Sequence, residues 1–304
     1  MEPERLKMKV AALSVASNTT LVIMKLAVGL AIGSVAMISE AIHSGFDLVA
    51  ALIALFSVKT SSIPADTHHP FGHGKIENIS GTVEALLILG AAVWIIVEAV
   101  GKLRNPEPVD ALGWGVAVML ISSVVNVVVS EVLFRVGRQT DSIALQADAW
   151  HLRTDVYTSA GVMVSLALMW LLQYLLPGRD FFWLDPVAAI AVALLILKAA
   201  YDLTIRSARD LLDVKLPKPE IDWITQLIVR HQPAVRGFHH LRTRKSGHFR
   251  FIEFHLLVDP LMTVEASHDI TEDLTKAIED QYPDASVMIH IEPCDGKCSR
   301  NCQE

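Results

Sequence analysis

Two stretches of this chain hold no charged residue for 20 positions or more, at 111–130 and 156–178. About 20 apolar residues, at 1.5 Å rise each, cross the hydrocarbon core of a bilayer as a helix. Backbone N–H and C=O groups find no water there, so such stretches must satisfy their hydrogen bonds internally. Four further apolar segments carry only a few ionisable residues each. They are 10–31 with Lys25, 34–57 with Glu40, His43 and Asp47, 79–100 with Glu84 and Glu98, and 186–205 with Lys198 and Asp202. The chain is therefore expected to form six transmembrane helices. The first apolar run continues into a long span, which argues against a cleaved signal peptide.

Charge then divides the chain. Residues 1–209 carry 15 Lys+Arg and 17 Asp+Glu, while the much shorter 210–304 carries 11 and 16. This predicts a membrane domain over 1–209, a small soluble domain over 210–293 and a Cys-containing tail over 294–304. A net charge of −7 argues against a nucleic-acid partner, and three Cys argue against a disulfide-stapled secreted fold. Arg5, Lys7, Lys9, Lys59, Lys75, Arg135, Arg138, Arg206 and Arg209 fall on one side of the six spans, against Lys102, Arg104 and Arg179 on the other. The bias places both termini in the cytoplasm.

The soluble part alternates. Residues 217–232 read as a helix, 235–244 and 249–258 as strands joined by a turn at 245–248, 263–282 as a helix and 286–292 as a short strand. Ile270, Leu274 and Ile278 recur at i+4. The order α-β-β-α-β predicts a small α+β domain with its helices on one face of the sheet.

Ionisable residues inside spans are costly and mark candidate sites. His43 and Asp47 in the second span, and His151 and Asp155 at the start of the fifth, both form H-x-x-x-D. That spacing puts each pair on one helix face. If the two faces meet, two imidazoles and two carboxylates converge, a set suited to a tetrahedral divalent metal, with zinc the first choice. Arg153 points away from His151 and is expected to pair with an acid or reach the interface. Lys25, Glu40, Glu84, Glu98 and Asp148 read as interhelical pairs or snorkelling groups, with Asp148 also placed to line an access path.

Three further clusters stand outside the spans. Asp66, His69 and His73 in the loop after the second span read as a more exposed metal site, with a polar loop as the alternative. In the soluble domain, buried His255 and His290 on neighbouring strands, beside Glu292 and together with His239 and His268, read as a metal cluster, with core packing as the alternative. Cys294, Cys298 and Cys302 fit no standard zinc spacing; metal capture and a frayed tail both stand.

Taken together, these residues resemble the cation diffusion facilitator family, closest in layout to its bacterial zinc/iron efflux type. The likeness rests on H-x-x-x-D in two spans, HPFGHGKIE at 69–77, DAWHLRTD at 148–155 and LRTR at 241–244. It covers about residues 8–293. The resemblance implies that His43, Asp47, His151 and Asp155 form the intramembrane transport site and that Asp66, His69 and His73 form a loop site. It implies that His239, His255, His268, His290 and Glu292 form a dinuclear site at the interface of a homodimer. It also implies that Lys75 and Asp213 form a charge pair near the membrane surface. Glu292 departs from the Asp common in relatives, and His43 from the Asp of many bacterial relatives. Residues 135–144 lack the His-rich insertion of many eukaryotic members, and the Cys tail has no counterpart.

The expected function is export of a divalent cation, Zn2+ first, from the cytoplasm across the inner (plasma) membrane in exchange for protons. No enzyme activity is expected. The soluble domain is expected to act as a dimer clamp that binds regulatory Zn2+. Export of Fe2+, Co2+, Cd2+ or Ni2+, or metal sensing without transport, are the alternatives.

Overall fold

A computed structural model describes residues 2–32, 35–104, 114–176, 181 and 183–294. The chain divides into two compact units, Met1–Ala208 and Arg209–Glu304.

The first unit is helical: α1 Glu2–Ile32, α2 Val35–Ser61, α3 Lys75–Arg104, α4 Trp114–Gln139, α5 Ile143–Leu175 and α6 Leu184–Leu211, the last running to the boundary between the units. Segments of five described helices are long and apolar enough to cross a membrane: Pro3–Ala31, Ala41–Ser61, Lys75–Arg104, Leu120–Gln139 and Leu184–Leu211. The sixth is α5, whose 33 residues span roughly 50 Å and include the uncharged run that begins at Val156. Its first turn is capped by Ser142, whose hydroxyl accepts from the Leu145 N–H.

Small residues let these helices approach. A Cβ built on Gly81 of α3 would lie 2.5 Å from Ile143 Cγ2 and 2.9 Å from Ser207 Oγ. A Cβ on Gly161 of α5 would lie 2.8 Å from Val192 Cγ2 of α6. Glycine at both positions sets how closely α3, α5 and α6 pack. Ala85, Ile88, Ala92, Ala147, Ile196 and Ala200 fill the same seam.

One set of helix ends is tied by one carboxylate. Glu77, fully buried, accepts hydrogen bonds from Ser61 Oγ at 2.9 Å and Ser142 Oγ at 2.7 Å, and Lys7 Nζ lies 3.5 Å away. Lys7 is 1% exposed and also pairs with Glu4 at 2.6 Å. The sequence places Lys7 among the loop charges; the fold instead buries it where α1, α2, α3 and α5 converge. A buried ion pair of this kind persists because other hydrogen bonds satisfy the remaining lone pairs.

The second unit follows the expected order: α7 Lys218–Arg230, β1 Val235–Ser246, β2 Phe249–Val258, α8 Val264–Gln281 and β3 Ala285–Pro293. The hairpin is tighter than expected, because Lys245 and Ser246 pair with Arg250 and Phe249, leaving Gly247 at φ +60° and His248 to turn the chain. β1 runs antiparallel to β2, and β3 runs parallel to it, so α8 is the crossover. Ile224 and Ile228 of α7, Leu274 and Ile278 of α8, and Ile252, Phe254 and Leu256 of β2 form the core. Period-two alternation therefore turns His255 to the sheet face opposite that core.

Candidate metal sites

The four residues expected to form the transport site come together. Donor atoms of His43, Asp47 and Asp155 all lie within 4.8 Å of one another, and His151 Nε2 lies 3.1 Å from Asp47 Oδ1. Asp47 is buried and Asp155 half-buried. Each H-x-x-x-D pair shares one face of its own helix, and packing of α2 against α5 supplies the convergence. A cavity of about 190 Å³ opens beside them, lined also by Asn18, Lys25, Ser44, Ser122 and Asn126. Among the described residues, Asn18 Nδ2, Ser122 Oγ and Asn126 Oδ1 are buried without hydrogen-bond partners, as is Asp155 Oδ2. Such orphan groups lining a carboxylate site suit a cation that arrives with part of its water shell. These polar residues escaped the sequence reading because single Asn and Ser residues in an apolar span carry no spacing signal.

The other intramembrane charges follow expectation only in part. Glu98 pairs with Lys102 one turn along its own helix, at 3.4 Å, and not across helices. Glu84 and Asp148 are fully buried. Glu84 accepts from Ser80 at 3.3 Å. Lys25 donates to Ser44 at 2.7 Å. Arg153 pairs with Glu131 of α4 at 2.9 Å, as an acid partner required. The Glu40 side chain lies outside the described residues.

The loop cluster also assembles. Donor atoms of Asp66, His69 and His73 lie within 4.8 Å of one another, and the two imidazole centres are 4.3 Å apart. Asp66 Oδ1 accepts the backbone N–H of His69 at 2.6 Å and of His68 at 2.8 Å. The His69 N–H chiefly holds this carboxyl below its ordinary range, so it stays an anionic donor. Gly72, at φ +76°, makes the turn that brings His73 back.

In the soluble unit the register decides the site. His239 pairs with His255 across β1 and β2, and His255 with His290 across β2 and β3. The three imidazoles thus form one row across the open face of the sheet. Glu292, two residues beyond His290, lies 2.8 Å from His255 Nδ1, 3.2 Å from His239 Nε2 and 3.6 Å from His290 Nε2. Burial pushes the Glu292 carboxyl up, but the His255 hydrogen bond and the three neighbouring imidazoles outweigh it and hold it below the usual range. The histidines were expected to be buried; the His255 and His290 side chains are 34% and 65% exposed, because both helices cover the other face. His268 stands apart on α8, 3.3 Å from Glu272. His240 was missed. A β-bulge between His239 and Arg242 sets it at φ +53°, with its ring 4.7 Å from that of His239 and 5.1 Å from that of His255.

Asp213 Oδ1 lies 3.7 Å from Arg244 Nη1 within the soluble unit. The half-buried Cys294 extends the β3 edge, its N–H donating to Val258 O at 2.9 Å. Cys298 and Cys302 lie outside the described residues.

Comparison with known proteins identifies the family. Residues 11–212 match the cation efflux transmembrane domain, and residues 216–294 the cytoplasmic domain of cation efflux proteins. An uncharacterized transporter of Synechocystis sp. is 35% identical over 289 residues, covering 95% of this chain and 91% of that protein. The cation-efflux pump FieF of Yersinia pestis is 33% identical over 296 residues, covering 97% and 96%. The metal-bound C-terminal domain of the CzcD transporter from Thermotoga maritima is 30% identical, covers 26% of this chain and 94% of that one, and superposes with a TM-score of 0.23. The chain belongs to the cation diffusion facilitator family and is a multi-pass membrane transporter for cation efflux.

Proposed function

We propose that this transporter exports Zn2+ from the cytoplasm across the inner (plasma) membrane in exchange for protons. The observation that supports this most is the meeting of His43, Asp47, His151 and Asp155 where α2 packs on α5. Two nitrogen and two oxygen donors suit tetrahedral zinc, whereas sites dominated by carboxylate suit harder ions. A ligating imidazole must be neutral and a ligating carboxylate ionised, so protons compete with the substrate for the same four side chains. Facing a neutral cytoplasm, the site favours the cation; facing a more acidic exterior, it favours protons. The positive-loop bias supports both termini on the cytoplasmic side.

The proposal includes a homodimer, with the membrane domain over 1–209, the cytoplasmic domain over 210–293 and the tail over 294–304. His239, His255, His290 and Glu292 would hold regulatory zinc. His268 belongs to that set through the dimer interface that the family resemblance implies, as does the Lys75–Asp213 charge pair. Three imidazoles and an anionic carboxylate on an open sheet face fit a bridging metal, which when bound supplies a cross-link between protomers. Asp66, His69 and His73 would form the loop site, and Cys294, Cys298 and Cys302 would capture metal at the tail.

The test is flux into liposomes that contain the purified protein, with Zn2+, Fe2+, Co2+, Cd2+ and Ni2+ offered separately across an imposed pH gradient. The expected result is Zn2+ flux that rises with the gradient and collapses with it. Flux of another cation in preference, or flux indifferent to the gradient, would overturn the metal or the antiport respectively.

A further inference from the structure

Between α4 and α5, lined by none of the expected metal ligands, lies an open cleft of about 480 Å³. Arg135, Arg138 and Arg153 line it, with Phe134, Trp150 and Tyr157 as its aromatic walls. We propose that this cleft binds the phosphate of an anionic phospholipid headgroup.

The charge argument comes first. Glu131 also lines the cleft, and it is engaged: its Oε2 takes Arg153 Nη2 at 2.9 Å, while Ser130 Oγ takes Arg153 Nε at 2.8 Å. Arg153 is thereby held with its guanidinium at the cleft wall. Among the described residues, Arg135 and Arg138 make no salt bridge, and the Arg138 guanidinium instead sits over the Phe134 ring at 5.4 Å. The Arg153 guanidinium lies 5.8 Å from the same ring. Two cations gathered on one ring, with Arg135 one turn before Arg138 on α4 and one carboxylate among them, leave a net positive cleft. A phosphate, which guanidinium groups bind in bidentate fashion, completes it.

Depth then selects the occupant. On α4 the charged residues begin at Glu131, directly after the uncharged 111–130; on α5 the uncharged run begins at Val156. The cleft begins at this transition on α4, where its lining runs from Glu131 to Gln139, and straddles it on α5, with Arg153 on the polar side and Tyr157 just on the apolar side. Trp150 and Tyr157 are the residue types that settle at headgroup level. Phe134 and Trp150 meet edge to face at 5.3 Å, which keeps the wall in place. A phosphate bound here would have acyl chains beside the uncharged helix surfaces, so a lipid fits better than a free anion.

The test uses the full-length protein in phosphatidylcholine bilayers, with and without phosphatidylglycerol. Lipid retained per chain is counted by native mass spectrometry, and the melting temperature is followed in parallel. The wild type is expected to retain phosphatidylglycerol and to melt higher with it. Arg135→Gln with Arg138→Gln should weaken that binding roughly 30-fold, since each basic residue near an anionic surface contributes on the order of fivefold. Lys9→Gln with Lys59→Gln removes as much charge from the same side of the membrane and should leave retention unchanged. If the double Gln variant does not fold in phosphatidylcholine, each single Arg→Gln variant carries the test, with roughly fivefold expected. Unchanged retention in the Arg variants, or equal loss in the Lys variants, would overturn the site. An equal rise in melting temperature from inorganic phosphate or glycerol phosphate alone would overturn the lipid as its occupant.

Discussion

His151 Nε2 on α5 lies 3.1 Å from Asp47 Oδ1 on α2, two residues separated by 104 positions in the chain. Through this contact the two H-x-x-x-D pairs become one set of donors beside a polar cavity. This donor set therefore depends on how two helices pack.

Replacing Asp47 or Asp155 by Ala removes one of two carboxylates from the proposed transport site. Metal affinity should fall by more than about 100-fold, since even residues that only orient a ligand cost 10–100-fold. Zinc flux into liposomes should vanish while the protein still elutes as a folded species. Undiminished flux in either variant would rule out the assignment.

His43→Asp exchanges a nitrogen donor for a hard oxygen in the same place. Preference should move toward Fe2+, Mn2+ or Cd2+ relative to Zn2+. Competition between paired metals in one flux assay measures this, and an unchanged ranking would locate selectivity in the helix geometry instead.

The soluble unit has its own core around Ile252, Phe254, Leu274 and Ile278, so residues 209–304 can be tested alone. Zinc at a hundredfold excess over its dissociation constant should stabilise this unit by about 2.7 kcal/mol. His255→Ala with His290→Ala should remove the effect. The pH dependence follows from the groups present. Glu292 sits below the ordinary carboxylate range, so it remains an anionic donor at neutral and weakly acidic pH. Protons compete with zinc for its ligands, so zinc stabilisation, followed by melting temperature, should fade on acidification.

Glu77→Ala leaves Lys7 buried with Glu4 alone, and leaves the Ser61 and Ser142 hydroxyls without the acceptor that joined them. Breaking a buried pair costs about 3–5 kcal/mol. The melting temperature in detergent should fall clearly, and Glu77→Gln, which keeps an acceptor, should fall less. Equal melting of wild type and Glu77→Ala would show that the knot contributes nothing to stability.

Local pattern was enough for much of this protein. Uncharged runs of bilayer length have no other stable solution in lipid than a spanning helix. The i+4 repeat of Ile270, Leu274 and Ile278, and the alternation in β2, identify helix and strand through periods of 3.6 and 2. H-x-x-x-D marks a shared helix face for the same reason. Packing and register lie beyond local pattern, because they join residues far apart in the chain. That α2 meets α5, that His239, His255 and His290 fall in one row, and that the row faces away from α7 and α8 all follow from tertiary contacts. The burial of Lys7 against Glu77, and the gathering of Arg135, Arg138 and Arg153 into one cleft, were likewise decided only in the folded chain. A lone charge near a helix end reads as solvated until another helix covers it.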